Sequence, residues 1–152
     1  MTENELKLLE IAKEAIELNK GIGAKLTGSL MLAVMGINKR REATDIDIIC
    51  DYLCEEGDGV PMAPGGFKLD GIDGSKSDVE AIQFYNADDL KIEFMACEEK
   101  TLLIGGVKCG ELRCMIEAKQ RYAKNDLSDI SRQKHIDDLD YLYENNPELT
   151  IE

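Results

Sequence analysis

The sequence predicts a single α+β domain, and three observations lead to that expectation. Its 152 residues, 43% of them hydrophobic, suffice to bury one sizeable core. Apolar residues recur at helical spacing near both ends of the chain, while alternating, turn-bounded segments lie between them. No internal repeat or low-complexity tract interrupts the order, so one domain over residues 1–152 is expected.

The elements follow in chain order. Thr2 and Glu5 have the spacing of a capping box, and Leu9, Ile11, Ala12, Ala15, Ile16 and Leu18 continue a helix up to Gly21. Gly21 and Gly23 stop it, and "AKLTG" reads as a short strand running into the Gly28-Ser29 turn. "SLMLAVMG" is apolar nearly all round, the mark of a helix packed within the core, and Gly36 with Asn38 ends it before the basic cluster Lys39, Arg40, Arg41. In "TDIDIICDY" the alternation puts Asp45 and Asp47 on one strand face and the isoleucines on the other. Residues 55–77, rich in Gly, Pro and Asp, are expected to form an irregular excursion with one short strand around residues 67–69.

"VEAIQFY" and "LKIEFMAC" flank the turn "NADD" as the arms of a hairpin, with Ile92 and Phe94 facing away from Glu93. "KTLLIGGVKCGEL" has strand-like apolar content broken by Gly105-Gly106 and Gly110. A helix is expected from about residue 111, burying Leu112, Met115, Ile116, Tyr122 and Ala123. Lys119 falls on that stripe, so it needs a route to solvent or an anionic partner. The last helix is expected over residues 129–145, carrying Ile130, Ile136, Leu139, Leu142 and Tyr143 and stopping before Pro147.

Composition excludes some function classes. With 18 basic against 31 acidic side chains, net -13, the chain is no general polyanion binder, and any nucleic-acid contact has to be local. There is no run of eighteen apolar residues, and the opening "MTENELK" is not a secretory leader, so a soluble cytoplasmic protein without membrane contact is expected. Cys50, Cys54, Cys97, Cys109 and Cys114 form an odd set with no C-x-x-C pair, which suggests neither a disulfide framework nor a four-ligand zinc site. His135, the sole histidine, lacks a metal-ligand partner at i+3 or i+4 and reads as an ordinary surface or half-buried residue.

Two carboxylates set among isoleucines are costly unless a cation joins them. Gly28-Ser29, the following helix, the basic cluster, Asp45-Ile46-Asp47 and the later acid Glu93 together resemble the nucleotidyltransferase superfamily typified by DNA polymerase beta. Within it the chain is most similar to the compact bacterial branch of AbiEii-type and minimal nucleotidyltransferases, in which an Arg and a Thr precede the Asp-x-Asp strand; "IEAKQRYAKND" looks like its lysine-bearing helix.

The resemblance implies a mixed β-sheet flanked by helices and transfer of a nucleoside monophosphate from an NTP, ATP included, to a hydroxyl on a protein, a tRNA or a small molecule. It assigns Asp45, Asp47 and Glu93 as catalytic residues and ligands of Mg2+, with Mn2+ as a substitute. It assigns Gly28, Ser29, Arg41, Thr44 and Lys119 to the nucleotide, with Lys39 or Arg40 assisting Arg41 and Thr44 orienting the strand edge. The competing reading is an inactive nucleotide- or partner-binding module of the same fold. A chain of this length leaves little room for an acceptor-binding domain, which also raises a homo-oligomer or a partner protein. The complete acid set favours the enzyme, and a phosphohydrolase is disfavoured because its Gly-Thr or Ser-Thr motif and lysine are missing from the expected places.

Overall fold

The computed structural model describes residues 1–54, 57, 59–75, 78–125 and 128–150. Residues 55, 56, 58, 76 and 77 of the expected excursion, residues 126 and 127, and residues 151 and 152 lie outside the described residues. Helix α1 (Glu3–Leu18) opens with the expected reciprocal cap. Thr2 N–H donates to Glu5 Oε1 at 3.0 Å, and Glu5 N–H donates to the Thr2 hydroxyl oxygen at 3.1 Å. Glu5 is only 2% exposed, because its second oxygen also accepts from Ala43 N–H at 2.9 Å and from Lys39 Nζ. Burial pushes the Glu5 carboxyl upward, but these donors outweigh it and hold the group at about 2.

After α1 come β1 (Lys25–Thr27), α2 (Gly28–Val34), β2 (Ile46–Cys50), β3 (Lys68–Ser75), β4 (Asp78–Tyr85) and β5 (Lys91–Ala96). The chain continues through β6 (Leu102–Ile104), β7 (Val107–Cys109), α3 (Leu112–Asn125) and α4 (Asp129–Asn145). Among the described residues the strands form one seven-stranded mixed sheet in the order β3-β4-β5-β2-β1-β7-β6. The β2–β5 and β1–β7 pairs are parallel and the others antiparallel. Alternation sends Leu26, Ile46, Ile48, Ile92 and Phe94 to the face where Leu8, Ala12, Ala15 and Ile16 of α1 and Leu30 and Met31 of α2 close the core. Asp47 and Glu93 are thereby left on the other face. The fold is the expected α+β mixed sheet flanked by helices, and no helix among the described residues is long and apolar enough to cross a membrane.

Two expectations need correction. In place of a short strand at residues 67–69 there is an eight-residue edge strand, β3, held against β4 through two register shifts. Its "KLDGIDGS" has poor strand propensity, so pairing supplies what local preference does not. Gly105 and Gly106, with φ of 56° and 81°, break the apolar run as expected, and the break is the turn of the β6–β7 hairpin. The apolar stripes of the last two helices hold at Leu112, Met115, Ile116, Leu139 and Leu142 and fail at Tyr122, Ile130 and Ile136. Tyr122 is 48% exposed and stacks on His135 at 5.3 Å, and Ile130 and Ile136 face solvent. The buried face of α4 is Asp138, Leu139 and Leu142, since these helices meet each other and the cleft edge and not a continuous apolar layer.

Candidate active site

Parallel pairing of β2 with β5 sets Asp47 directly beside Glu93. The row continues outward, with Thr27 of β1 paired to Asp47 and Gln83 of β4 paired to Glu93. Gln83 Nε2 donates to Glu93 Oε2 at 2.6 Å, which fixes one carboxylate oxygen. Burial raises the Asp47 carboxyl first, the neighbouring Glu93 and Asp45 charges raise it further, and Lys91 and Lys119 offset only part, leaving it at about 6. Asp47 and Glu93 therefore stand side by side, with Asp45, just ahead of β2, near enough to add its charge, and Lys91 and Lys119 compensate only part. Carboxylate oxygens are the donors that a hard divalent ion such as Mg2+ takes, and the three acids would have to draw closer to share one, since their ligand atoms do not all lie within 4.8 Å of one another.

Gly28 forms the wall of this row. Its φ is 72°, and a Cβ there would lie 2.4 Å from Asp47 Oδ2. Both the left-handed backbone and the missing side chain are required for Asp47 to occupy its position. Thr27, the residue before α2, makes no capping hydrogen bond with its side chain.

Ser29, next in the chain, lines a small cleft with Leu32, Lys39, Arg40, Arg41, Lys119, Asp138 and Leu142. Asp138 organises it. Arg41 binds its carboxylate in bidentate fashion, Nη2 to Oδ2 at 2.8 Å and Nε to Oδ1 at 3.2 Å. Arg40 Nε donates to Oδ1 at 2.9 Å, and Lys119 Nζ lies 3.4 Å from Oδ2. Burial raises the Asp138 carboxyl, but Arg41, Lys119 and Arg40 outweigh that and hold it at about 2. Burial also lowers the Lys119 ammonium, with Asp138 acting against it.

Of the residues singled out from the sequence, Asp47 and Glu93 are paired neighbours, Asp45 is near enough for its charge to act on Asp47, Gly28 abuts Asp47, and Ser29, Arg41 and Lys119 share the cleft. Thr44 is exposed and does not line the cleft, and Lys39 is committed to Glu5. Sequence reasoning missed Asp138, Glu5 and Gln83. One signal did point at Asp138: Lys119 required an anionic partner, and Asp138 stands beside Leu139 and one helical turn before Leu142.

The fold has known counterparts. A crystal structure of JHP933 from Helicobacter pylori matches with a TM-score of 0.56 at 16% identity, over 97% of this chain and 69% of that one. A second crystal structure, of a protein from H. pylori put forward as a nucleotidyltransferase, matches with a TM-score of 0.54 at 17% identity, over 97% of this chain and 72% of that one. No protein-family model matches the chain, and no curated protein matches it. At such identities the likeness defines the fold, which is nucleotidyltransferase-like.

Proposed function

We propose that the protein is a nucleotidyltransferase that moves a nucleoside monophosphate from an NTP to a hydroxyl-type acceptor. The observation that carries this reading is the parallel β2–β5 register, which sets Asp47 against Glu93 while Asp45 adds its charge to the same place. Asp45, Asp47 and Glu93 would hold Mg2+, or Mn2+ in its place. When bound, the ion supplies positive charge to the α-phosphoryl oxygens and the departing pyrophosphate.

The chain's own groups do the rest. Glu93, oriented through Oε2 by Gln83, takes the acceptor hydroxyl proton at Oε1. Gly28 keeps side-chain bulk out of the approach to Asp47, and the Ser29 hydroxyl faces the cleft where the phosphates lie. Arg41 and Lys119 bind phosphate oxygens there, and Lys119 lies near enough to Asp47 to lower its carboxyl, so it spans both halves of the site. Thr44 orients the entry to β2. The acceptor is a protein, a tRNA end or a small molecule, and the net charge of -13 weighs against an extended RNA surface.

One feature favours a binding module without turnover. The cleft holds about 10 Å³ of water-accessible space, roughly one water, and Asp138 already neutralises its cations, so a triphosphate has to draw at least one of them away. Incubation with each α-labelled NTP, Mg2+ and cell extract separates the readings. The transferase labels an acceptor and the Asp47→Asn variant does not. Labelling unaffected by that substitution overturns the assignment, and NTP binding without any labelled product selects the module.

A further inference from the structure

We propose that Cys97, Glu99, Glu111 and Cys114 form a second metal site, for a thiophilic divalent cation of the zinc class, which clasps the start of α3 to the far end of β5. The two pairs, C-x-E and E-x-x-C, come from separate segments that the fold brings together. Ligand atoms of Glu99, Glu111 and Cys114 all lie within 4.8 Å of one another. The fourth donor, Cys97 Sγ, lies 3.3 Å from Glu99 Oε2, a carboxylate already in that cluster. Two thiols with two carboxylates are a donor set that prefers zinc over Mg2+, whereas the acid row has oxygen donors only.

The surroundings are built for this cluster. A Cβ on Gly110 would lie 2.7 Å from Glu99 Oε1 and 2.8 Å from Ile49 Cδ1, so the Glu99 carboxylate sits in a cradle that any other residue would fill. Glu111 N–H donates to that same oxygen at 2.8 Å, and Glu111, the residue before α3, stands three residues ahead of Cys114 in its first turn. Among the described residues no lysine or arginine ion-pairs with either carboxylate; the Lys25 ammonium goes to the Glu99 main-chain carbonyl and to Asp51.

Charge and atoms balance. Without metal, each thiol keeps its proton and donates a hydrogen bond to a carboxylate, Cys97 to Glu99 and Cys114 to Glu111 at 3.5 Å, and the four groups carry two negative charges. On metal binding the two S–H bonds break, two metal–sulfur bonds form and two protons leave, so the set with its dication again carries two negative charges. Cys97 follows Glu93 by four residues, about 13 Å at strand rise, so the clasp stands apart from the acid row. Cys114 precedes Lys119 by five residues of helix, about 7.5 Å, so the clasp fixes the helix that presents Lys119 to the cleft. The site stands whether or not the protein is a transferase.

The test uses the full chain, stripped of metal and titrated with Zn2+ or Co2+ in excess Mg2+. A single ion per chain is expected, with thiolate-to-cobalt charge-transfer absorption and release of about two protons per ion. Cys114→Ser and Cys97→Ser each lower affinity by about tenfold or more. Cys97 is exposed, so its variant keeps the fold and remains informative if Cys114→Ser does not. Zinc also slows alkylation of Cys97 and Cys114 and leaves Cys54 unchanged. Cobalt binding without thiolate absorption, equal affinity in both cysteine variants, or loss of the ion in Asp47→Asn overturns the proposal.

Discussion

Asp47 and Asp138 are two withdrawn aspartates on either side of the Gly28-Ser29 turn, and their carboxyls move in opposite directions. Burial raises both. Beside Asp47 stand Glu93 and Asp45, and the group rises to about 6; beside Asp138 stand Arg41, Lys119 and Arg40, and it falls to about 2. Depth alone therefore says little about the role of a carboxylate. The neighbours separate an acid set among other acids from one that already holds its cations in position.

The largest test of that contrast is Asp47→Asn, which should lower transfer by about a thousandfold or more in the labelling assay. The same change should stabilise the protein. An acid whose folded pKa is raised from 3.8 to about 6 loses stability as pH climbs through that interval and keeps the penalty above it. At pH 7 the variant should unfold later by at most about 3 kcal/mol in denaturant titrations, and Mg2+ should raise the Tm of the wild type only. A less stable Asp47→Asn protein would break the comparison.

Gly28→Ala ranks next, with a loss of about a hundredfold in transfer, because the new methyl meets the Asp47 carboxylate and the backbone has φ of 72°. Asp138→Asn should act the other way from Asp47→Asn and destabilise by about 2 kcal/mol at pH 7, because Arg40, Arg41 and Lys119 lose their shared anion while staying partly solvated. Its lowered pKa sets the window: the wild-type contribution is complete above about pH 4 and disappears as pH falls toward 2, so the two unfolding curves should converge in acid. Lys119→Met should have the smallest effect. It should raise KM for NTP several-fold and move the acid limb of the pH–rate profile upward, since Lys119 is one of the two cations that lower the Asp47 carboxyl. An acid limb that stays in place would remove Lys119 from the Asp47 side of the site.

Local patterns in the chain were enough to place the Thr2–Glu5 cap, the "NADD" hairpin and the bounds of α4, because capping, turn chemistry and periodicity act over a few residues. Alternation also placed Asp47 opposite the isoleucines, whereas Asp45, read as part of the same strand, stands in a bend just before β2 begins at Ile46. The glycine-rich "KLDGIDGS" was illegible as a strand because β3 exists through its partner β4.

What the sequence determined by itself was the α+β class, Asp47 on β2 and the Gly28-Ser29 turn ahead of it. Tertiary structure alone decided that β2 and β5 run parallel with Asp47 beside Glu93, that Asp138 gathers three cations from α3 and the loop before β2, and that Glu99 meets Glu111 and Cys114. The physical reason is range: hydrogen-bonded turns and side-chain periodicity are written in neighbouring residues, whereas the Coulomb field at a buried group depends on which distant charges the packed core brings within a few ångströms.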